Sequence, residues 1–197
     1  MVNFVSYKSE PLKLFKKYFD LASLNNQKSI DAMCISSIDL TENKPYSRFV
    51  NLKYIKDDQL IFFTNYKSKK ASQFQKCNNV CCIFFWPSIN MQIRINGTVE
   101  KSCEDFSDFH FSQRSRKKNA LAISSNQSSK VGSYNEVLIK YNKVLSSCNF
   151  LKRPGYWGGY SISPTCFEFW KGDPSRLNQR AEYEKEENRW KKTILEP

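Results

Sequence analysis

Hydrophobic residues recur with two different periods along the chain, and the two periods predict different elements. After Pro11 they follow helical spacing with lysines between them, which predicts an amphipathic helix that ends near Leu24. Segments rich in β-branched and aromatic residues fit a pleated surface and predict strands. The predicted strands are Asp31 to Ile38, Phe49 to Ile55, Gln59 to Thr64, Val80 to Trp86, Met91 to Val99, Tyr156 to Ile162, Cys166 to Lys171, Arg180 to Tyr183 and Arg189 to Leu195.

Turn residues and short helical patterns connect these strands. Asp57-Asp58 predicts one hairpin, Ser163-Pro164 predicts another, and Gly97 predicts a bulge. Val80 to Trp86 is continuously apolar, so we expect a strand that is buried on both faces. Further helices are predicted at Lys70 to Cys77, Cys103 to Arg116 and Tyr134 to Leu145. The predicted fold is mainly β, an antiparallel barrel with peripheral helices.

The length and the cysteine usage set the organisation that we expect. A chain of 197 residues can bury one sizeable core. We expect an N-terminal arm and helix over residues 1–29, with residues 1–10 loosely attached, and one domain over residues 30–197. Seven cysteines without a C-x-x-C pair, beside one histidine, argue against a metal site and favour reduced thiols in a cytoplasmic protein. No apolar run approaches the roughly 18 residues of a membrane span.

The formal net charge of +12, from 31 basic and 19 acidic residues, narrows the classes of partner. Such an excess fits nucleic acid, an anionic membrane surface or anionic small ligands. The basic residues are scattered apart from two clusters, Lys67 to Lys70 and Arg114 to Lys118, and no nucleic-acid-binding motif is visible. Charge alone therefore leaves these three classes of partner open.

The stretch from Ser47 to Lys70 combines two predicted strands with a basic turn. Ser68 is a suitable N-cap, and the free N–H groups at a helix start favour an anion. Arg48 and Lys53 are five positions apart, which places them on opposite faces of a strand unless a bulge or a strand end intervenes. On residue types alone, the turn is either an anion site or a solvated basic turn.

This stretch resembles the flavin-binding signature of the pyridoxamine 5'-phosphate oxidase family. Further motifs follow in the family's order and extend the resemblance over about residues 30 to 197. The motifs are Arg48 to Lys53, Phe62 to Lys70, Asn90 to Arg94, Asn126 to Ser129, Arg153 to Tyr160, Phe167 to Gly172 and Pro174 to Leu177. The resemblance implies an FMN-binding split β-barrel that forms a homodimer, with two flavin mononucleotides at the subunit interface. It also implies oxidation of pyridoxamine or pyridoxine 5'-phosphate to pyridoxal 5'-phosphate, with O2 as acceptor and H2O2 as product.

Both basic clusters fall inside the family motifs, so the resemblance favours phosphate-bearing small ligands, with no nucleic acid and no membrane as partner. The resemblance also implies roles for residues at matching positions. The flavin phosphate is expected at Arg48 and Lys70, with help from Lys69 and Ser128. The rest of the flavin site would be Phe63, Thr64, Gln92, Gln127, Trp170 and Arg180. The substrate phosphate is expected at Lys53, His110, Arg114 and Lys118. Arg176 and Asn178 would flank the substrate opposite the flavin and are the implied catalytic residues.

Some of these positions depart from the family pattern. The family has tyrosine at His110, serine at Lys118, and histidine and aspartate at Asn178 and Gln179. Asparagine hydrogen-bonds a substrate but does not titrate near neutral pH as histidine does. Two alternatives therefore remain open. One is a diverged FMN-dependent oxidoreductase of the same fold with another, phenazine-like substrate, and the other is a non-catalytic protein that binds flavin or pyridoxal phosphate.

Overall fold

One sheet of ten strands, with five α-helices around it, accounts for the regular structure in the part of the chain that the computed structural model describes, residues 2–147, 150, 152–187 and 189–197. The strands are β1 Asn3–Phe4, β2 Ala32–Asp39, β3 Lys44–Asn51, β4 Tyr54–Lys56, β5 Gln59–Asn65, β6 Asn79–Trp86, β7 Met91–Lys101, β8 Trp157–Lys171, β9 Gln179–Glu186 and β10 Arg189–Leu195. The helices are α1 Glu10–Leu24, α2 Lys69–Lys76, α3 Glu104–Ser112, α4 Arg116–Ser124 and α5 Tyr134–Ser147, with a short 3-10 turn at Pro87–Ile89.

The long strand β8 joins the two halves of the sheet. The order is β1-β4-β5-β8-β7-β6-β2-β3, with β9 on β8 and β10 on β9. The first part of β8 pairs with β5 and its last part pairs with β9, while β7 runs along its other edge. All these pairs are antiparallel, and the parallel pair of β1 with β4 is the exception. The predicted mainly β architecture with peripheral helices is confirmed.

An aromatic core lies between the sheet and α1. Phe15 of α1 packs edge-on against Phe84 at 5.1 Å between ring centroids and lies 5.5 Å from Trp86. β6 alternates, with Val80, Cys82, Phe84 and Trp86 buried and the residues between them partly or fully exposed. Phe85 is 54% exposed, so the expectation that both faces of this strand are buried is wrong within one chain. Its second face remains open for another partner.

The predicted strand Phe49 to Ile55 is two strands that pair with different neighbours. β3 pairs with β2, whereas β4 pairs with β5. The chain passes from one neighbouring strand to the other at Leu52 and Lys53. The N–H of Leu52 donates to the carbonyl of Asp31, and the N–H of Lys53 donates to the carbonyl of Ile61. β3 also begins at Lys44, five residues before the predicted start of the strand at Phe49. Because β3 ends between Arg48 and Lys53, the alternation of side chains along a strand does not place these two residues on opposite faces.

The hairpin predicted at Ser163-Pro164 is wrong, because β8 continues through it. Pro164 lies opposite Gly97, and the register of the β7–β8 pair shifts between Asn96 and Gly97. A bulge tolerates a proline, which cannot donate a ladder hydrogen bond. The bulge predicted at Gly97 is therefore confirmed, and it explains why the proline does not break the strand.

Two other expectations concern the ends of short elements. The hairpin at Asp57-Asp58 is confirmed, and both residues have positive φ angles of 53° and 58°, as a tight two-residue β-turn requires. The arm over residues 1–10 is not loose throughout, because Asn3–Phe4 forms β1 and Val2 is buried. No helix among the described residues has the length and apolar character to span a membrane.

We predict that Gly97→Ala destabilises the protein by about 1–3 kcal/mol, the usual range for overpacking. A Cβ at position 97 would lie 2.4 Å from the carbonyl oxygen of Ser163, a backbone atom that cannot rotate away. Gly155→Ala is the matched control, since a Cβ there meets nothing within 4 Å. Urea unfolding of both variants at one protein concentration measures the difference. Equal stability of the two variants would contradict the close packing at the bulge.

Candidate active site

A cavity of about 520 Å³ lies where the end of β3, strand β5 and helices α3 and α4 meet. Predicted site residues from distant parts of the chain share its wall. They are Lys53, Phe63, Thr64, Lys70, His110, Arg114, Lys118 and Gln127. The cavity thus brings predicted flavin-binding and predicted substrate-binding residues together. Trp157, at the start of β8, and Asn51, at the end of β3, also line it although the motifs did not single them out for the site.

Lys70, in the first turn of α2, is held in the cavity by neutral oxygen atoms. Its Nζ donates to Thr64 Oγ1 at 2.9 Å, to Gln127 Oε1 at 3.1 Å and to Ser68 Oγ at 3.3 Å. Burial lowers the pKa of Lys70 from 10.5 to about 8, and the charge of Arg48 adds to the shift. Because none of the three acceptors carries a charge, the ammonium group is solvated by the protein but not neutralised.

Arg48 projects from β3 toward α2 and lies near Lys70. Its guanidinium donates to Ser37 Oγ at 2.7 Å, to Gln73 Oε1 at 2.6 Å and to the carbonyl of Ile35 at 3.3 Å. Burial lowers the pKa of this arginine as well. Arg48 and Lys70 therefore form a pair of like charges that only neutral groups accompany.

A layer of parallel rings forms the second wall. The Phe63 ring stacks on His110 at 3.7 Å between centroids and on Trp157 at 5.5 Å. The guanidinium of Arg114 lies 4.3 Å from the centre of the Trp157 ring. Burial lowers the pKa of Arg114 to about 10, and its buried Nη1 has no hydrogen-bond partner. The other nitrogen, Nη2, donates to the carbonyl of Lys118 at 3.1 Å.

Tyr54 stands behind this layer, outside the set of predicted site residues. Its hydroxyl lies 2.9 Å from Nδ1 of His110. Burial lowers the pKa of His110 to about 4, and the cations Arg114, Lys53 and Lys118 add to the shift. The imidazole is therefore neutral at physiological pH. In the sequence, only the position of Tyr54 directly after Lys53, the last residue of a site motif, could have indicated that Tyr54 lies at the site.

The cavity has an uncompensated positive charge. Among the described residues, no carboxylate lies within 4 Å of Arg48, Lys70, Arg114 or Lys118, whereas Lys53 pairs with Asp31 at 2.8 Å. Lys70 is buried and Arg114 is partly buried, and charges that are removed from water are normally paired, so these two unpaired cations on the cavity wall fit a site for anions. Lys118 lines the same cavity but is exposed, and Arg48 lies beside Lys70 without lining the cavity. The orphaned Nη1 of Arg114 is the donor that most directly lacks a partner.

The remaining predicted residues lie outside this cavity. Gln92, Trp170 and Arg180 are side by side on β7, β8 and β9. Arg180 pairs with Glu168 at 2.8 Å and lines a second cavity together with Asn178. Arg176 and Asn178 belong to the loop between β8 and β9, and Asn178 Oδ1 accepts from the N–H of Asp173 at 3.1 Å.

Two further positions lie at the edge of the site. Lys69 pairs with Glu42 at 3.3 Å and covers the Tyr46 ring at 3.9 Å. Ser128 is exposed and has a φ angle of 72°. It directly follows Gln127, which does enter the cavity. A role for Lys69 and Ser128 in binding phosphate stays a prediction.

Two family models match separate parts of the chain. The one described as pyridoxamine 5'-phosphate oxidase matches residues 24–148. The one described as pyridoxine 5'-phosphate oxidase C-terminal dimerisation region matches residues 157–197. The chain belongs to the pyridoxamine 5'-phosphate oxidase family.

Individual relatives agree with this membership along nearly the full length. The pyridoxine/pyridoxamine 5'-phosphate oxidase of Leptospira biflexa is 37% identical, over 95% of this chain and 89% of its own. That of Chromohalobacter salexigens is 35% identical, over 96% of this chain and 89% of its own. Family membership therefore does not rest on the site motifs alone.

Solved structures confirm the fold. PhzG from Burkholderia lata, in complex with tetrahydrophenazine-1-carboxylic acid, superposes with a TM-score of 0.89 and 26% identity, over 96% of this chain and 94% of its own. A pyridoxamine 5'-phosphate oxidase-related, FMN-binding protein of Nostoc punctiforme superposes with a TM-score of 0.77 and 14% identity, over 93% and 97% of the two chains. The expected split β-barrel of the pyridoxamine 5'-phosphate oxidase family is therefore confirmed.

The family binds flavin mononucleotide, and the donor set of the cavity fits this cofactor. A phosphate dianion requires cationic donors that are not already neutralised, and Arg48 with Lys70 supplies two of them. Gln127 and Thr64 add polar groups beside Lys70. Phe63 and Trp157 give the aromatic surface that a flat ring system requires.

We predict that Lys70→Met stabilises the ligand-free protein at pH 7 while it weakens binding of flavin mononucleotide. The folded-state pKa of about 8 lies below the usual 10.5, so the charged form is disfavoured by folding. The stability of the wild type should rise between pH 8 and 10.5, as the unfolded chain alone holds the proton, and the advantage of the variant should shrink over the same range.

Lys69→Met is the matched control, because Lys69 is exposed and paired with Glu42. We expect it to change stability by at most about 0.5 kcal/mol, as surface substitutions usually do. Thermal unfolding of the ligand-free proteins from pH 7 to 10.5 gives the comparison. A Lys70→Met protein less stable than wild type at pH 7 would contradict the uncompensated charge.

Proposed function

We propose that the protein is an FMN-dependent oxidase that converts pyridoxine or pyridoxamine 5'-phosphate to pyridoxal 5'-phosphate. With the alcohol, the balance is substrate plus O2 giving aldehyde plus H2O2. With the amine, water is also consumed and ammonia is released. The observation that carries the proposal is the presence of two unpaired cationic groups at one cavity, which Lys70, Arg114 and Lys118 line and beside which Arg48 lies. Arg48 with Lys70 is one group, and Arg114 with Lys118 is the other, which matches one phosphate on the cofactor and one on the substrate.

The residues of the first group would hold the cofactor phosphate. Arg48 offers a planar fork and Lys70 offers a point charge, and neutral neighbours already orient both. Flavin mononucleotide, when bound, supplies the two-electron acceptor that takes hydride from the substrate carbon and is reoxidised by O2. Thr64 and Gln127 keep Lys70 at the cavity wall through their hydrogen bonds.

The residues of the second group would hold the substrate phosphate. Arg114 presents its unpartnered Nη1, and Lys118 adds a charge that the serine typical of the family does not have. Lys53 lies across the cavity and is paired with Asp31 at 2.8 Å, so an incoming phosphate competes with this carboxylate. The substrate would be oriented by its phosphate, because Arg114 and Lys118 lie together at one place on the cavity wall.

In this proposal, a second copy of the chain brings the catalytic residues implied by the resemblance to the cavity. β8 has 15 residues, so at about 3.3 Å per residue its two ends are roughly 45 Å apart along the strand. Trp157 lines the cavity at one end, and Trp170 lies near the other with Gln92 and Arg180. The match of residues 157–197 to a dimerisation region supports a homodimer in which the partner supplies this second set. The open face of β6 with Phe85 gives such a dimer an apolar surface to bury.

Asn178 would orient the substrate without transferring a proton. Its carboxamide does not titrate, and its Oδ1 already accepts from the backbone of Asp173. Its amino group, which can donate two hydrogen bonds, and the second lone pair of Oδ1 remain to contact a substrate. Arg176, in the same loop, would supply the positive charge on that face.

A second candidate function is oxidation of a phenazine-type ring acid. It is favoured by the likeness to PhzG from Burkholderia lata, whose structure contains tetrahydrophenazine-1-carboxylic acid. Arg114 and Lys118 would then bind a carboxylate in place of a phosphate. The departures at Asn178 and Gln179 are compatible with such a change of substrate.

The decisive assay uses protein loaded with flavin mononucleotide, with pyridoxine 5'-phosphate, pyridoxamine 5'-phosphate and unphosphorylated pyridoxine as parallel substrates. We expect aerobic formation of pyridoxal 5'-phosphate and H2O2 in equal amounts from the phosphorylated compounds, and little turnover of pyridoxine. Turnover of a tetrahydrophenazine carboxylic acid alone would support the second candidate. Flavin that no substrate reduces under anaerobic conditions would support the non-catalytic alternative.

We predict that two inactive variants restore activity when they share a dimer. Arg114→Ala removes a residue of the cavity, and Arg176→Ala removes one of the second set, so a mixed dimer has one intact site. After random reassociation, half the dimers are mixed, and the activity should recover to about a quarter of the wild-type value. Arg114→Ala mixed with Lys118→Ala is the control and should recover nothing. Absence of recovery in both mixtures would place all site residues within one chain.

A further inference from the structure

Tyr54 of β4 contacts the single histidine of the sequence, His110 of α3, at the cavity wall, where Tyr54 is buried and His110 is partly exposed. The hydroxyl of Tyr54 is 2.9 Å from His110 Nδ1, and the tyrosine side chain is only 8% exposed. The Phe106 ring meets Tyr54 edge-on at 5.0 Å, and Phe63 stacks on the imidazole at 3.7 Å. These contacts fix the planes of both rings, so the hydrogen bond between them has one geometry.

The direction of this hydrogen bond follows from the partners that are available. Burial raises the pKa of Tyr54, so its hydroxyl keeps its proton and has to donate it. Among the described residues, His110 Nδ1 is the partner given to that hydroxyl. If Nδ1 carried a proton, the hydroxyl proton of Tyr54 would be buried without an acceptor, at a cost of about 1–3 kcal/mol. Nδ1 is therefore the acceptor.

The charged groups that face His110 keep it neutral. The cations Arg114, Lys53 and Lys118 act on it, and no carboxylate among the described residues lies within 4 Å of it. A neutral imidazole has one bare nitrogen and one N–H group. With Nδ1 accepting from Tyr54, the proton resides on Nε2, which has no protein partner in the described part of the chain.

We propose that Tyr54 is a positioning residue that fixes His110 as the Nε2–H tautomer, so that the imidazole offers one neutral donor to the anion held by Arg114 and Lys118. Identification of this anion as the substrate phosphate rests on the proposed function. The family typically has tyrosine at position 110, whose hydroxyl is a donor by itself. In this chain two residues are needed to present one donor, and Tyr54 becomes part of the specificity of the site.

This arrangement separates His110 from an ordinary titrating histidine. A free imidazole changes charge near pH 6.5, and its donor capacity changes with it. The partly buried, tyrosine-bonded imidazole keeps one N–H donor from about pH 5.5 to 8. The donor capacity of His110 in the ligand-free protein should therefore be constant over that range.

Nitrogen NMR tests the tautomer directly, because one histidine gives one pair of imidazole signals. Untagged protein labelled with 15N-histidine is required, so that no purification tag adds signals. We expect a bare Nδ1 and a protonated Nε2 from pH 5.5 to 8 in the wild type, and tautomer exchange in Tyr54→Phe. Addition of inorganic phosphate should shift Nε2 more than Nδ1. A protonated Nδ1, an imidazolium at pH 7, or an unchanged spectrum in Tyr54→Phe would overturn the proposal.

Steady-state kinetics test whether the tautomer matters for the substrate. One neutral hydrogen bond is worth about 0.5–1.5 kcal/mol, so Tyr54→Phe should raise KM for pyridoxine 5'-phosphate by about 2- to 10-fold and leave kcat within about twofold. Tyr156→Phe is the matched control, because its hydroxyl donates to the Ile123 carbonyl at 2.7 Å, away from the histidine. It should change neither the spectrum nor KM.

A double-mutant cycle distinguishes positioning from packing. In His110→Tyr, which restores the residue typical of the family, Tyr54→Phe should have no further effect on KM. An equal loss in both backgrounds would assign Tyr54 a merely structural role and overturn the proposal. If the protein oxidises no B6 phosphate at all, the proposed function fails, whereas the tautomer and the response to inorganic phosphate are still decided by the spectra.

Discussion

The structure depends on one constraint, the continuity of β8. This strand supplies hydrogen-bond partners to β5, β7 and β9, so it connects both halves of the sheet. Its passage through Pro164 is possible because β7 bulges at Gly97, where no side chain separates the two backbones. The same continuity places Trp157 and Trp170 near opposite ends of one element. The cavity lined by Trp157 and the second cavity lined by Asn178 and Arg180 therefore lie near opposite ends of this strand.

The unpaired positive charge at the cavity explains why an anionic ligand should bind there. In most proteins, buried cations have carboxylate partners. Lys70 on the wall of this cavity, and Arg48 beside it, are surrounded by hydroxyl and amide oxygens, which fix their positions and leave their charge available. Arg114 is held by the face of an indole ring and by one carbonyl group. Such groups are held in place before the ligand arrives, so little reorganisation opposes binding.

Much of the fold and the membership of the family follow from the sequence, because strand patterns and spaced motifs are local properties. The hairpin at Asp57-Asp58 and the bulge at Gly97 are examples, since residue type alone decides each. The break at Leu52 and Lys53 was not predictable, because it depends on which neighbouring strand receives each hydrogen bond. The partners of the site residues could not be predicted from the sequence either. The ion pair of Lys53 with Asp31 and the hydrogen bond between Tyr54 and His110 join distant segments of the chain. The periodic pattern of hydrophobic residues gives no information about such contacts.

The uncompensated pair of Arg48 and Lys70 also has a consequence for the life of the protein in the cell. A ligand that neutralises the pair binds the folded chain and not the unfolded one, so it shifts the folding equilibrium by mass action. The chain without flavin spends more time unfolded, where proteases degrade it. The abundance of this protein should therefore follow the supply of its cofactor, with the newly made chain surviving in proportion to the flavin that it meets.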